Sequence, residues 1–137
     1  MAPDAYAQWV VLEITNSLKG PIKIQNAKLI WGKFYQNGNK DVELSPDEID
    51  QIVIPPGETR SVSSCGRSGA PSGTEGSIDL DDDTTKICTL YWNCPWGSPT
   101  NDFALQDVNQ EYVVTHGPWN QTGGAIGNIA IKVAANE

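Results

Sequence analysis

The chain has 137 residues, 39% of them hydrophobic, and a formal net charge of -8 at pH 7. That length suits one domain spanning residues 1–137 with a sizeable core, and no stretch approaches the ~18 consecutive apolar residues of a membrane-spanning helix. The acidic balance argues against nucleic acid, whose phosphates demand Lys and Arg, and a membrane partner would need head groups that are neutral overall.

The start Met1-Ala2-Pro3-Asp4 lacks a basic n-region, so no secretory leader is expected. The chain is read as cytoplasmic, as secreted without a classical signal peptide, or as already processed. Residues 6–15 read as a strand whose apolar run Trp9-Val10-Val11-Leu12 is cut by Glu13. A turn at 16–21 leads to a strand at 22–31, where Ile22 and Ile24 alternate with Lys23 and Gln25. Gln36-Asn37-Gly38-Asn39 is a strong turn, because Asn-Gly accepts positive φ. Ser45-Pro46-Asp47-Glu48 fits a capping box with Pro at the first helical position, which predicts one short helical turn. Pro55-Pro56-Gly57 breaks the chain. A strand at 59–65 and a glycine-rich loop at 66–76 follow. Segments 77–80 and 86–94 pair across the acidic turn Asp81-Asp82-Asp83, and strands at 103–106, 111–115 and 126–133 bring the total to about eight or nine. With no helical periodicity, the predicted fold is an all-β, antiparallel β-sandwich with at most one short helical turn.

The odd set Cys65, Cys88 and Cys94 suits neither a disulfide framework nor a zinc site, so free, largely buried thiols are expected. Cys88 and Cys94 face the same side of one strand, too far apart on a straight strand for a disulfide. His116 is the only histidine and has no evident catalytic partner. No nucleophile elbow, zinc-protease helix or phosphate-binding loop occurs, so neither enzyme activity nor a metal or other cofactor is expected. Gly66-Arg67-Ser68 lacks the Gly-Lys-Ser/Thr of a phosphate loop, and Arg67 is expected to pair internally. Asp79-Leu80-Asp81-Asp82-Asp83 reads as a solvated hairpin tip rather than a calcium loop. Asn120-Gln121-Thr122 is a glycosylation sequon, relevant only in a secretory pathway.

The most informative run is Leu90-Tyr91-Trp92-Asn93-Cys94-Pro95-Trp96-Gly97-Ser98-Pro99-Thr100-Asn101. Its aromatics end in a Cys-Pro break and a turn. Trp favours places where one side is apolar and the other wet. Of the five tryptophans, Trp9, Trp31, Trp92, Trp96 and Trp119, each can fill a core, but Trp31 and Trp96 precede glycines at strand ends and tilt toward the surface. Exposed Trp and Tyr can cage a choline or ammonium head group by cation–π attraction, ~0.5–2 kcal/mol per contact. The lipid-binding candidates are therefore Trp9, Trp31, Tyr91, Trp92 and Trp96.

Ala5-Tyr6-Ala7-Gln8-Trp9-Val10, Trp31-Gly32-Lys33, Lys40-Asp41, Gly66-Arg67-Ser68, the run from Tyr91 to Ser98, and Gly124-Ala125-Ile126-Gly127 occur in the order found in aegerolysins, and the resemblance covers nearly the whole chain. It implies a small acidic β-sandwich that binds sphingolipid-rich membranes containing ceramide phosphoethanolamine, or sphingomyelin with cholesterol. It also implies a perforin-like (MACPF) protein as the pore-forming partner of a two-part cytolysin. Pro99 stands where mushroom members carry Lys, and Ser72 where some sphingomyelin binders carry Glu, which leaves ceramide phosphoethanolamine at least as strong a candidate. A carbohydrate-binding lectin is the alternative reading. A lipid hydrolase is a third, opposed by the lone histidine.

Overall fold

The computed structural model describes residues 5–137, so the leader reading, which rests on Met1-Ala2-Pro3-Asp4, lies outside the described residues. A 3-10 turn at Ala5–Ala7 precedes β1 (Trp9–Asn16), β2 (Ile22–Trp31), β3 (Lys33–Gln36) and β4 (Asn39–Leu44). The short helix α1 (Pro46–Ile49) and β5 (Val53–Ile54) follow, then β6 (Thr59–Cys65), β7 (Thr74–Asp82) and β8 (Thr85–Cys94). The last strands are β9 (Asp102–Gln106), β10 (Tyr112–His116) and β11 (Gly127–Ala135). They form a six-stranded sheet, β10-β11-β1-β6-β3-β4, and a five-stranded sheet, β5-β2-β7-β8-β9.

Local chemistry accounts for the punctuation. Ser45 Oγ accepts from the Glu48 N–H and the Glu48 carboxylate accepts from the Ser45 N–H, each at 3.1 Å, so the capping box starts α1 as expected. Gly38, at φ +86°, turns β3 into β4. β4 was not legible: Asn39-Lys40-Asp41-Val42-Glu43-Leu44 is an edge strand with almost no buried face. β7 begins at Thr74, inside the segment read as loop, and runs through Asp82; the hairpin turns instead at Asp83, whose φ is +54°. Every pairing is antiparallel except β1 with β11, which run parallel from Val10↔Gly127 to Asn16↔Val133.

The core lies between the sheets. Val10, Leu12 and Ile14 alternate inward from β1; Cys88, Leu90, Trp92 and Cys94 do so from β8. Phe34 of one sheet meets Trp92 of the other edge to face, with ring centroids 6.0 Å apart. The three cysteines are free and buried, and Cys88 and Cys94 share the core side of one strand.

Burial, helped by the negative charge of Asp79, pushes the Cys88 thiol up to about 12. Burial, and then Cys65, does the same to the Tyr35 phenol. Both groups hold their protons more tightly folded than unfolded. Their contribution is therefore fully present below the unfolded pKa values, ~8.5 for Cys and ~10 for Tyr, and is lost as pH rises toward about 12. The urea midpoint should hold between pH 7 and 8 and fall steadily above about pH 9; a flat midpoint to pH 11 would contradict the burial of these groups.

Candidate functional site

Strand register gathers the marked residues at one end of the sandwich. Trp31 sits opposite Glu75, Glu75 opposite Asn93, Thr74 opposite Cys94, and Trp9 and Lys33 both opposite Cys65. The β2–β7 pairing slips between Leu29 and Trp31. Alternation fails there, and Ile30 and Trp31 are both solvent-facing, 60% and 56% exposed. Gly32, at φ +91°, then carries the chain from one sheet to the other. A Cβ there would stand 2.5 Å from the Cys65 carbonyl oxygen, so the Trp31-Gly32-Lys33 element tolerates only glycine at its centre.

Trp31 and Trp96 flank an open groove of about 550 Å³ floored by Gly73, Thr74 and Glu75, with Pro71 and Pro95 on its rim. Trp96 is 42% exposed. Gly73 lets two backbones touch: a Cβ there would lie 1.8 Å from the Cys94 carbonyl oxygen. The Gln8 amide donates to the Pro95 carbonyl at 3.1 Å and fixes the loop that carries Trp96.

The structure divides the candidates. Trp31 and Trp96 share the groove. Tyr91 lies outside it on the outer face of β8, in an adjoining depression with Ile30 and Asp79. Its hydroxyl donates to Glu75, a groove residue, at 2.5 Å. Desolvation, then that bond, pushes the phenol up to about 12. Trp9 is half-buried on the other sheet's outer face, in a groove with Tyr6 and Lys40. Trp92 is a correction: it has no exposed surface, and its indole N–H donates to Thr74 Oγ1 at 3.0 Å. Its position inside β8 on the Leu90 side of the pleat makes it core, so it cannot meet a ligand in the folded protein.

Sequence reasoning missed Ile30, Pro71 and Glu75. Leu29-Ile30-Trp31, three apolar residues in succession on a strand read as alternating, was the signal for Ile30. Arg67 forks onto Glu43 at 2.9 and 2.8 Å, which holds the Glu43 carboxyl below its usual range, so the guanidinium is engaged internally as expected. His116 packs edge to face on Phe103. Among the described residues no cluster of three or more His, Cys, Asp or Glu could hold a metal ion, and no helix is long and apolar enough to cross a membrane.

The family model described as Aegerolysin matches residues 7–136. Asp-hemolysin of Aspergillus fumigatus is 49% identical over 131 residues, which cover 95% of this chain and 94% of that protein. Terrelysin of Aspergillus terreus is 32% identical over 130 residues, covering 94% and 89%. Among solved structures, RahU protein in complex with a TRIS molecule superposes with a TM-score of 0.92 at 35% identity, covering 97% of this chain and 98% of that one.

The two tryptophans of the Trp-Asn-Cys-Pro-Trp element should respond oppositely to truncation. Trp92→Ala is expected to cost about 3–5 kcal/mol, whereas Trp96→Ala, which removes no enclosed side chain, should stay within about 1 kcal/mol. Urea unfolding of the two variants decides; an equal loss from Trp96→Ala would place that residue in the core.

Proposed function

The chain belongs to the aegerolysin family, and from that membership we propose that it binds sphingolipid-rich membranes as the receptor-binding component of a two-part cytolysin. One observation carries the reading: Trp31 and Trp96, two large apolar side chains, are exposed around a shared groove of an acidic protein, with exposed Ile30 in the adjoining depression. In water such a group is unfavourable. Pressed into a membrane interface it gains ~25 cal/mol for each Å² of apolar surface buried, while the indole N–H groups remain at head-group level. Binding is the activity, without catalysis.

The groove also has the elements of head-group selection. Two indoles can enclose an ammonium by cation–π attraction. Glu75, oriented by Tyr91, adds a carboxylate at the floor. A primary ammonium can donate hydrogen bonds to it, whereas a quaternary one has no N–H to give. Glu75 therefore favours ceramide phosphoethanolamine over sphingomyelin. The bound chain would concentrate a perforin-like (MACPF) partner on the surface, a gain in effective concentration. Release from the cell without a classical signal peptide, or residence in the cytoplasm with peripheral binding to target membranes, fits this role.

Sedimentation with vesicles of single defined composition tests the reading. Retention is expected on ceramide phosphoethanolamine vesicles and should fall about tenfold in Trp31→Ala and Trp96→Ala, the ~1.4 kcal/mol of one lost aromatic contact. Glu75→Gln should reduce preference for ceramide phosphoethanolamine over sphingomyelin–cholesterol. Since the head group is neutral overall and apolar burial supplies most of the contact, retention should change little between low and high salt. Undiminished binding by both Trp variants would remove the groove from the membrane contact. Dye release should be rapid only when a perforin-like protein is added; complete release by this chain alone would refute the division of labour.

A further inference from the structure

The Trp9 side of the same end holds a second groove, of about 520 Å³, on the outer face of the six-stranded sheet. Its lining differs from that of the Trp31–Trp96 groove. Trp9 supplies an aromatic wall, with Lys40 Nζ 5.6 Å from its ring centre. Three asparagines converge beside it: Asn37 from the β3–β4 turn, Asn39 from the start of β4, and Asn128 from β11, next to β1. Asn37 Oδ1 accepts from Ser63 Oγ at 3.3 Å, and Asn39 Oδ1 accepts from the Asp41 N–H at 3.0 Å. Each amide is held by its oxygen, and its N–H₂ is left to donate. The exposed Asn128 amide has no hydrogen-bond partner among the described residues.

We propose that this groove is a second binding site and takes a neutral sugar, a hexopyranose ring stacked on Trp9 with its hydroxyls on Asn37, Asn39 and Asn128. Charge narrows the ligand class. Asp41 accepts from the Tyr6 hydroxyl at 3.2 Å and Lys40 donates to the Tyr6 carbonyl at 2.5 Å, so the two opposite charges of the groove already have partners in its wall, and neither is left over for a charged ligand. The three amides oppose an acyl chain, which would leave them unpaired. What remains is a ligand whose groups each donate and accept, with one C–H face for an indole. Hydroxyls on a pyranose meet both demands, and amides are the side chains that pair with them in both senses. Anchoring of the donors by Ser63 and the Asp41 backbone means that little side-chain freedom is lost on binding.

Titration of the ¹⁵N-labelled protein with methyl β-D-glucopyranoside and methyl β-D-galactopyranoside, in the absence of lipid, tests the site. At least one should produce saturable shifts, in the millimolar range, in the Trp9 indole and the Asn37, Asn39 and Asn128 side-chain amides, while glycerol, a polyol without a ring face, should not. Asn128→Ala, at an exposed position, should keep the folded spectrum and weaken the sugar about fivefold, the worth of one hydrogen bond. Shifts confined to Trp31 and Trp96, an equal response to glycerol, no saturable response to either glycoside, or unchanged affinity in Asn128→Ala would each overturn the proposal. Phosphatidylcholine vesicles with and without glucosylceramide then distinguish the source. Retention only with glucosylceramide, reduced by Asn128→Ala, assigns a lipid-borne sugar; glycoside binding without such retention assigns a soluble or protein-linked one. Sugar-free sphingolipid vesicles should bind Asn128→Ala as they bind the unaltered protein, which keeps this test separate from that of the Trp31–Trp96 groove.

Discussion

A buried line of hydrogen bonds ties the two sheets together beneath both grooves. The Trp92 indole N–H donates to Thr74 Oγ1, Thr74 Oγ1 and Ser64 Oγ lie 2.6 Å apart, and Ser64 Oγ donates to the Lys33 carbonyl at 2.9 Å. Proton counting gives the line a direction. The indole can only donate and the carbonyl can only accept, so the single proton of Ser64 goes to Lys33 and that of Thr74 goes to Ser64. Away from water such a chain is reinforced along its length, and losing one link strands the others unpaired. It runs from β8 and β7 of one sheet to β6 and β3 of the other. Gly32 must therefore cross at that level, and Trp31 emerges just before it.

Two demands on tryptophan are thus met within a few residues. One indole is sunk to hold the sheets in register; its neighbour along the chain is raised to the surface by Cys94-Pro95 and the close approach of Gly73 to the Cys94 carbonyl. The exposed pair then stands on a rigid base. A rigid base suits the proposed membrane contact, since little ordering would remain to be lost on binding.

The architecture was legible wherever one face of a strand is buried. Ile22 against Lys23, the Asn37-Gly38 turn and the Ser45 capping box each signal themselves through local chemistry. Three things were hidden. β4 has no apolar period because it is an edge. β7 starts in Thr74-Glu75-Gly76, where Gly76, required by close contact with Trp92 and Lys28, masks the strand signal. The parallel neighbour of β1 comes from the far end of the chain, beyond any local pattern. At the site, Trp31 and Trp96 were betrayed by the glycines that follow them. Trp92 was not separable from Trp96 by composition; only the phase of the pleat, fixed by Leu90 and Cys94, buries it. Glu75 gives no sequence signal at all, since its place depends on register with Trp31.

Because β1 lies between β6 and β11, a nascent chain carries Trp9–Asn16 with one hydrogen-bonding edge open until Gly127–Ala135 has left the ribosome. Joining segments so far apart closes a loop of nearly the whole chain, the slow kind of contact in folding. The sandwich on which the aromatic end is mounted is completed only when this pairing forms, so a chain that lacks Gly127–Ala135 keeps an open edge at β1, a template for association with other chains.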